Sequence, residues 1–564
     1  MRSLQLLTVG AALACLGASP QCAPKLVDYV VSPEIGPNGL DALDVRLTFQ
    51  AGPKGGTAID LPDSDAGTSS LWRYVTDFRV TGAGGVSEAG PAKKIVTSSP
   101  GARVTVSYRV VSAFDHDPGP GELDTYKPTI RPRWFWAYGE ALFARPEGYD
   151  QAHFTWQGPP DFPFASSLQG ARSSAMSVDK LTESVSVGGP DLVVQERPIG
   201  GASVRFAMIG RYDFTDDAFA DLGTRIIAGE RAFWGGRERP FLVVLAPLMP
   251  VPGRLEDRGE GRADALAIMT TADIPLADLR SVIGHEYFHT WNPGRLGGIP
   301  DGAAEPSGYW FSEGFTDFYA RRLLLRMGVF QLEDFVADWN AMLRAYATSP
   351  VRAEPLARIE RDLWTDDSVH KLPYQRGAII AAIADARLRT LSQGRWSLDD
   401  LMRAMPADAR RPNAPLAPTL FLEAAKARGV DMTSDVQRIA DEGALALLPP
   451  VAFGTCIHIT TMTVPIFDMG FDWPTARVSH IIAGVDPSSR AYAAGLRNGM
   501  TLVKIDAPLG ETTKPLTMRI RDAAGERDIT YVPAGRDAEV QELSLPPSLT
   551  PEQRTRCAAE AAGR

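Results

Sequence analysis

The spacing of apolar residues changes period along the chain, and those changes divide it into regions. From about 24 to 180, short stretches alternate apolar and polar side chains, as in Leu26-Val27-Asp28-Tyr29-Val30-Val31, Asp44-Val45-Arg46-Leu47-Thr48-Phe49 and Arg103-Val104-Thr105-Val106-Ser107-Tyr108. Turns rich in glycine and proline separate them, as in Gly52-Pro53-Lys54-Gly55-Gly56 and Asp117-Pro118-Gly119. A period of two sends alternate side chains to opposite faces of a strand, so this region is predicted to be an antiparallel β-sandwich. From 181 to 330 the pattern is mixed. Phe241 to Ala246 is a continuous apolar run that reads as a buried strand, with Ala265 to Met269 as its partner. A helix is predicted to open near Asp273, with Pro275 in its first turn, and to end at Asn292-Pro293-Gly294. A second helix runs from about Trp310 to Gly328.

Residues 331–449 repeat with helical spacing, for example Asp334 to Tyr346, Gly377 to Leu391 and Phe421 to Lys426. Pro449-Pro450 marks a boundary, beyond which 450–545 reads as a small β-rich module. A terminal helix within 546–564 starts at Pro551 with Thr550 as its cap. The fold class expected is therefore multidomain α+β, and the pattern shows no internal repeat.

A chain of 564 residues is too long for one core. Its net charge of −10, with no run of Lys and Arg, argues against nucleic acid and anionic membrane surfaces as partners. Residues 1–23 look like an export signal: Arg2, an apolar run from Leu4 to Leu16, then Gly17-Ala18-Ser19. That run is too short to span a membrane, and no later segment is long enough. Cys15 comes after Ala12-Leu13-Ala14, a partial lipoprotein box, so a lipid anchor is an alternative to a free periplasmic or secreted protein. Of the remaining cysteines, Cys456 and Cys557 either form a disulfide or stay as two buried thiols.

The densest chemistry is His285-Glu286-Tyr287-Phe288-His289. Residues four apart share a helix face, so His285 and His289 can offer two imidazoles to one metal ion. Glu313, in the second helix, supplies a carboxylate. Two His and one Glu with an open fourth position is the ligand set of a catalytic zinc, one per chain. Glu286 stands where a general base for the attacking water is needed. In a largely apolar helix an unpaired carboxylate is costly, which argues against a surface helix with two unrelated histidines. Asp317, four residues after Glu313, is placed to accept the second ring N–H of a ligand histidine. The other histidines (His116, His153, His370, His458 and His480) are scattered and read as surface or core residues.

His-Glu-Tyr-Phe-His-Thr-Trp-Asn at 285–292, with Trp-Phe-Ser-Glu-Gly-Phe-Thr at 310–316, closely resembles the glycyl aminopeptidase family of gluzincin metallopeptidases. The resemblance covers nearly the whole chain. It implies a β-sandwich domain, a thermolysin-like catalytic domain at 181–330, a helical domain and a C-terminal PDZ-like domain. It also implies that His285, His289 and Glu313 bind zinc and that Glu286 is the general base. Pro373-Tyr374-Gln375-Arg376-Gly377 is similar to the family segment whose Tyr donates a hydrogen bond to the tetrahedral oxyanion. Gly253-Arg254-Leu255-Glu256-Asp257 stands where the family has a glycine-rich segment, and there Glu256 would pair with the substrate's α-ammonium. This segment has fewer glycines than the family pattern, and Asp257 replaces its His. Met469-Gly470-Phe471 is similar to a PDZ carboxylate-binding loop, which would take the C-terminus of a peptide partner. The reading is an exported zinc aminopeptidase that removes small first residues, Gly or Ala, from peptides. The alternatives are a zinc endopeptidase and a PDZ scaffold with a vestigial peptidase centre.

Overall fold

The structure, a computed structural model, describes residues 26–564 apart from 65–66, 123–125, 170–174, 236–238, 263 and 508–509. The expected export signal and Cys15 lie outside the described residues. The chain divides into two compact units, one holding the residues up to Pro118 with Glu122–Leu192, the other Gly119–Gly121 with Val193–Arg564.

In the first unit the alternating stretches do form strands, because only one side of each can be buried. Arg103–Val110 turns Val104, Val106, Tyr108 and Val110 into the core and leaves the residues between them at least partly exposed. It lies between Gly39–Gln50 and Val75–Thr81 in a six-stranded sheet, and two four-stranded sheets complete the unit. One pairing departs from the antiparallel expectation: Leu26–Gly36 runs parallel to Gln151–Trp156.

The second unit is built on a five-stranded sheet in the order Val193–Ile199, Ala202–Met208, Phe241–Leu248, Ala265–Thr271, Asp257–Arg262. The inner joins are parallel and the two outer ones antiparallel. Ala265–Thr271 is buried at every position, as a strand covered on both faces must be. The outer strand Asp257–Arg262 is polar and glycine-bearing, with the sequence Asp-Arg-Gly-Glu-Gly-Arg, so apolar patterning does not announce it.

Three helices then carry the chemistry. The first is Leu279–Phe288, which opens after a short 3-10 turn at Leu276–Asp278 rather than at Asp273. The second is Tyr309–Arg326 and the third Asp367–Ser392. The third begins at Asp367, before the predicted start at Gly377, and runs through Pro373; only one backbone N–H is lost to the proline. The second and third cross at Gly314 and Gly377. A Cβ at Gly377 would sit 1.9 Å from the Trp310 carbonyl oxygen, and one at Gly314 would sit 2.2 Å from the Gly377 Cα. Two backbones at that separation leave no room for any side chain.

The C-terminal module has a two-stranded pair, His458–Phe467 with Ala534–Ser544, and a three-stranded sheet of Thr501–Asp506, Leu516–Asp522 and Gly525–Tyr531. The segment Met469-Gly470-Phe471, where a peptide-binding loop was expected, is tied to its own module. The Gly470 N–H donates to the Asp468 carboxylate at 2.7 Å, and the Met469 carbonyl accepts from the Tyr531 hydroxyl. Met469 and Phe471 are buried in the module's core. After them the chain enters a helix, Trp473–Ser479. The terminal helix Pro551–Ala561 is capped by Thr550 and joined to Cys456 by a disulfide from Cys557. No helix among the described residues is long and apolar enough to cross a membrane.

Candidate metal centre

Hydrogen bonding fixes which nitrogen of each histidine is available. His289 places Nδ1 2.8 Å from the Asn292 carbonyl oxygen, which can only accept, so Nδ1 carries the proton and Nε2 keeps its lone pair. His285 places Nδ1 2.9 Å from the Asp317 carboxylate, with the same consequence. The two Nε2 atoms lie 3.1 Å apart, and Glu313 Oε2 lies 3.3 Å from one and 3.2 Å from the other. In the neutral form of each imidazole, three lone-pair donors thus converge on one point. Bonds of about 2.0–2.1 Å to a tetrahedral zinc would separate ligand atoms by about 3.3 Å, so the donor set fits that ion without rearrangement.

Each donor is held from behind. Asp317 is tied by Arg321 at 3.0 Å, one turn along its helix. Burial would raise the Asp317 carboxyl, but the Arg321 charge and the His285 hydrogen bond outweigh it and hold it down at about 2. It therefore stays an acceptor for His285 Nδ1–H at any working pH. Glu313 receives the Ser312 hydroxyl on Oε1 at 2.6 Å, leaving Oε2 for the metal. Its burial is likewise outweighed by the two histidines, and its carboxyl lies well below the usual range.

Asn292 has a part that sequence reasoning did not see. It is fully buried, and its Nδ2 donates to the Phe311 carbonyl, the Ser312 carbonyl and Thr316 Oγ1 at 2.9–3.1 Å. Its own carbonyl orients His289. One residue thereby locks the end of the histidine helix onto the first turn of the Glu313 helix. The available signal was an amide directly after an apolar helix, which cannot be buried without partners.

Glu286 faces the outer strand. A Cβ at Gly259 would meet its Cγ at 2.6 Å, and one at Gly261 would meet His289 Cβ at 3.0 Å. The Gly261 N–H also bonds to the Glu286 carboxylate. The glycines that admit close approach are therefore Gly259 and Gly261, downstream of the segment where they were expected. Burial raises the Glu286 carboxyl, with the histidine charges only partly offsetting it, which moves it toward the range of a working base.

Tyr374 lies against His285, ring centroids 5.8 Å apart and nearly parallel. Burial and then the charges of Glu313, Glu286 and Asp317 push its hydroxyl well above the ordinary phenol range, so it remains a donor. The structure thus brings His285, His289, Glu313, Glu286, Asp317 and Tyr374 together. The Glu256 carboxylate lies 3.2 Å from Arg258 and 3.9 Å from Arg254, two largely exposed arginines.

Residues 278–375, which contain this whole constellation, match the family model described as M61 glycyl aminopeptidase. No curated protein matches the chain. Among solved structures, an aminopeptidase N family protein from Idiomarina loihiensis superposes with a TM-score of 0.69 at 15% identity, over 95% of this chain and 100% of that one. This likeness bears on the fold. An M1 zinc metallopeptidase from Deinococcus radiodurans is similar at a TM-score of 0.47 and 17% identity, over 77% of this chain and 96% of that one.

Proposed function

Taking the metal-centre segment as one of the M61 glycyl aminopeptidase family and the chain as a metallo-aminopeptidase, we propose that it is an exported zinc enzyme removing small first residues, Gly or Ala, from peptides. The carrying observation is the convergence of His285 Nε2, His289 Nε2 and Glu313 Oε2 within 3.1–3.3 Å of one another. When bound there, zinc supplies Lewis acidity, polarising a carbonyl oxygen and lowering the pKa of water. Glu286 takes the proton of the attacking water at its carboxylate and passes it to the leaving amine nitrogen. Tyr374 donates its phenolic hydrogen to the oxygen that becomes negative as the carbonyl turns tetrahedral. Export is supported by the disulfide, which persists in oxidising compartments.

One observation favours a second reading, an endopeptidase. Arg258 at 3.2 Å and Arg254 at 3.9 Å compete with a substrate α-ammonium for the Glu256 carboxylate. Two other acidic groups are Glu260 on the outer strand, 3.8 Å from Arg262, and Glu305, which accepts from Tyr309 at 3.0 Å. In the aminopeptidase reading Glu256 or one of these holds the α-ammonium.

Mass-spectrometric cleavage of one Ala-initiated peptide, free and N-acetylated, with Glu286→Gln protein as control, separates the readings. Stepwise loss of the first residue from the free peptide alone is expected. Internal cleavage of both peptides would establish the endopeptidase. Equal products from the Glu286→Gln protein would refute the catalytic centre.

A further inference from the structure

His370, one of the scattered histidines, lies one helical turn before Tyr374 on the same face of the Asp367–Ser392 helix. Its ring packs on the Tyr374 phenol, centroids 5.3 Å apart with 35° between planes. The phenol therefore has two imidazole neighbours, His370 and the candidate ligand His285.

His370 is itself held in place. Its ring N–H bonds to the Leu363 carbonyl. Trp364 packs on it at 5.8 Å, and Trp364 in turn meets Tyr309 edge-on at 6.3 Å. Tyr309 is one turn before Glu313 on the same face of its own helix. A row of rings thus joins the two helices that carry the metal-binding carboxylate and the phenol: Tyr309, Trp364, His370, Tyr374. The imidazole keeps its neutral form, because burial lowers its proton affinity by more than the Leu363 bond raises it.

A tyrosine hydroxyl stands roughly 6.5 Å from its Cα, so a swing of about 10° displaces it by about 1 Å, enough to cost on the order of a hundredfold in rate. We propose that His370 is a positioning residue for this reaction, its ring fixing the Tyr374 phenol at the point where it meets the developing oxyanion. The inference rests on the proposed oxyanion role of Tyr374.

The experiment measures kcat, KM and zinc content for wild type, Tyr374→Phe, His370→Ala, His370→Phe and the double variant Tyr374→Phe with His370→Ala. Tyr374→Phe is expected to lose on the order of a hundredfold in kcat. His370→Ala is expected to lose about tenfold in kcat, with KM and zinc content unchanged. His370→Phe, which keeps a flat ring, restores most of that loss. In the Tyr374→Phe background His370→Ala costs nothing further, because there is no hydroxyl left to position. Full kcat in His370→Ala, or an equal loss in both backgrounds, overturns the proposal, as does a His370→Phe protein as slow as His370→Ala. Full kcat in Tyr374→Phe would instead overturn the oxyanion reading itself.

Discussion

The crossing of the Glu313 and Tyr374 helices offers the sharpest test of how this centre is assembled, through Gly377→Ala. The added Cβ would lie 1.9 Å from the Trp310 carbonyl oxygen and 2.7 Å from the Gly314 Cα. A relaxed carbon–oxygen contact is about 3.3 Å, so the helices must part by about 1.4 Å at that point. Tyr374 is on the same helix, one turn earlier, and moves with it. Glu313, on the helix it parts from, is tied to the His289 segment through Asn292, so the three metal donors are expected to keep their mutual spacing. The variant is therefore expected to keep its zinc while losing on the order of a hundredfold in kcat, the usual consequence of a 1 Å misplacement. Overpacking should also cost about 1–3 kcal/mol of stability. The assay is kcat on an Ala-initiated peptide, with metal content by elemental mass spectrometry and a urea unfolding curve on the same preparation. Activity within about twofold of wild type at full metal content would refute the argument that this crossing places the phenol.

Three further outcomes are expected from the geometry. Asp317→Asn removes the anionic acceptor behind His285 and should weaken zinc binding about 10–100-fold, read by competition with a chelating dye; unchanged affinity would deny Asp317 its orienting part. In the metal-free protein, burial alone would lower the proton affinity of both ligand histidines, but Asp317 and Glu313 outweigh it at His285 and Glu313 does so at His289, raising both above the ordinary value. Zinc must then displace protons held to higher pH than in free histidines, so affinity should keep rising above pH 6.5, and titration calorimetry in two buffers should show proton release. A curve that levels off near pH 6.5 would contradict this. The Cys456–Cys557 disulfide closes a span of 101 residues, so reduction should cost about 2–5 kcal/mol, seen as a lower urea midpoint. An unchanged midpoint would show that the terminal helix holds without it.

The chemistry that local spacing encodes was determined by the sequence alone. His285 and His289 share a helix face by their separation of four, and Asp317 stands four after Glu313 by the same rule, so the donors could be named before any fold was known. The alternating strands around Val104–Val110 were legible for the equivalent reason, a period of two. The outer strand Asp257–Arg262 was not, because it is polar and its identity comes from pairing with Ala265–Thr271. Its glycines matter only because the histidine helix lies beneath them. The contacts of Arg254 and Arg258 with Glu256 were not legible for the same reason. The role of Asn292 and the stacking of His370 on Tyr374 likewise depend on which helices cross. The helix Trp473–Ser479 that follows Met469-Gly470-Phe471 was not legible either. Local periodicity specifies what a side chain can do. Only long-range packing, set by burial across the whole core, decides which other groups it meets.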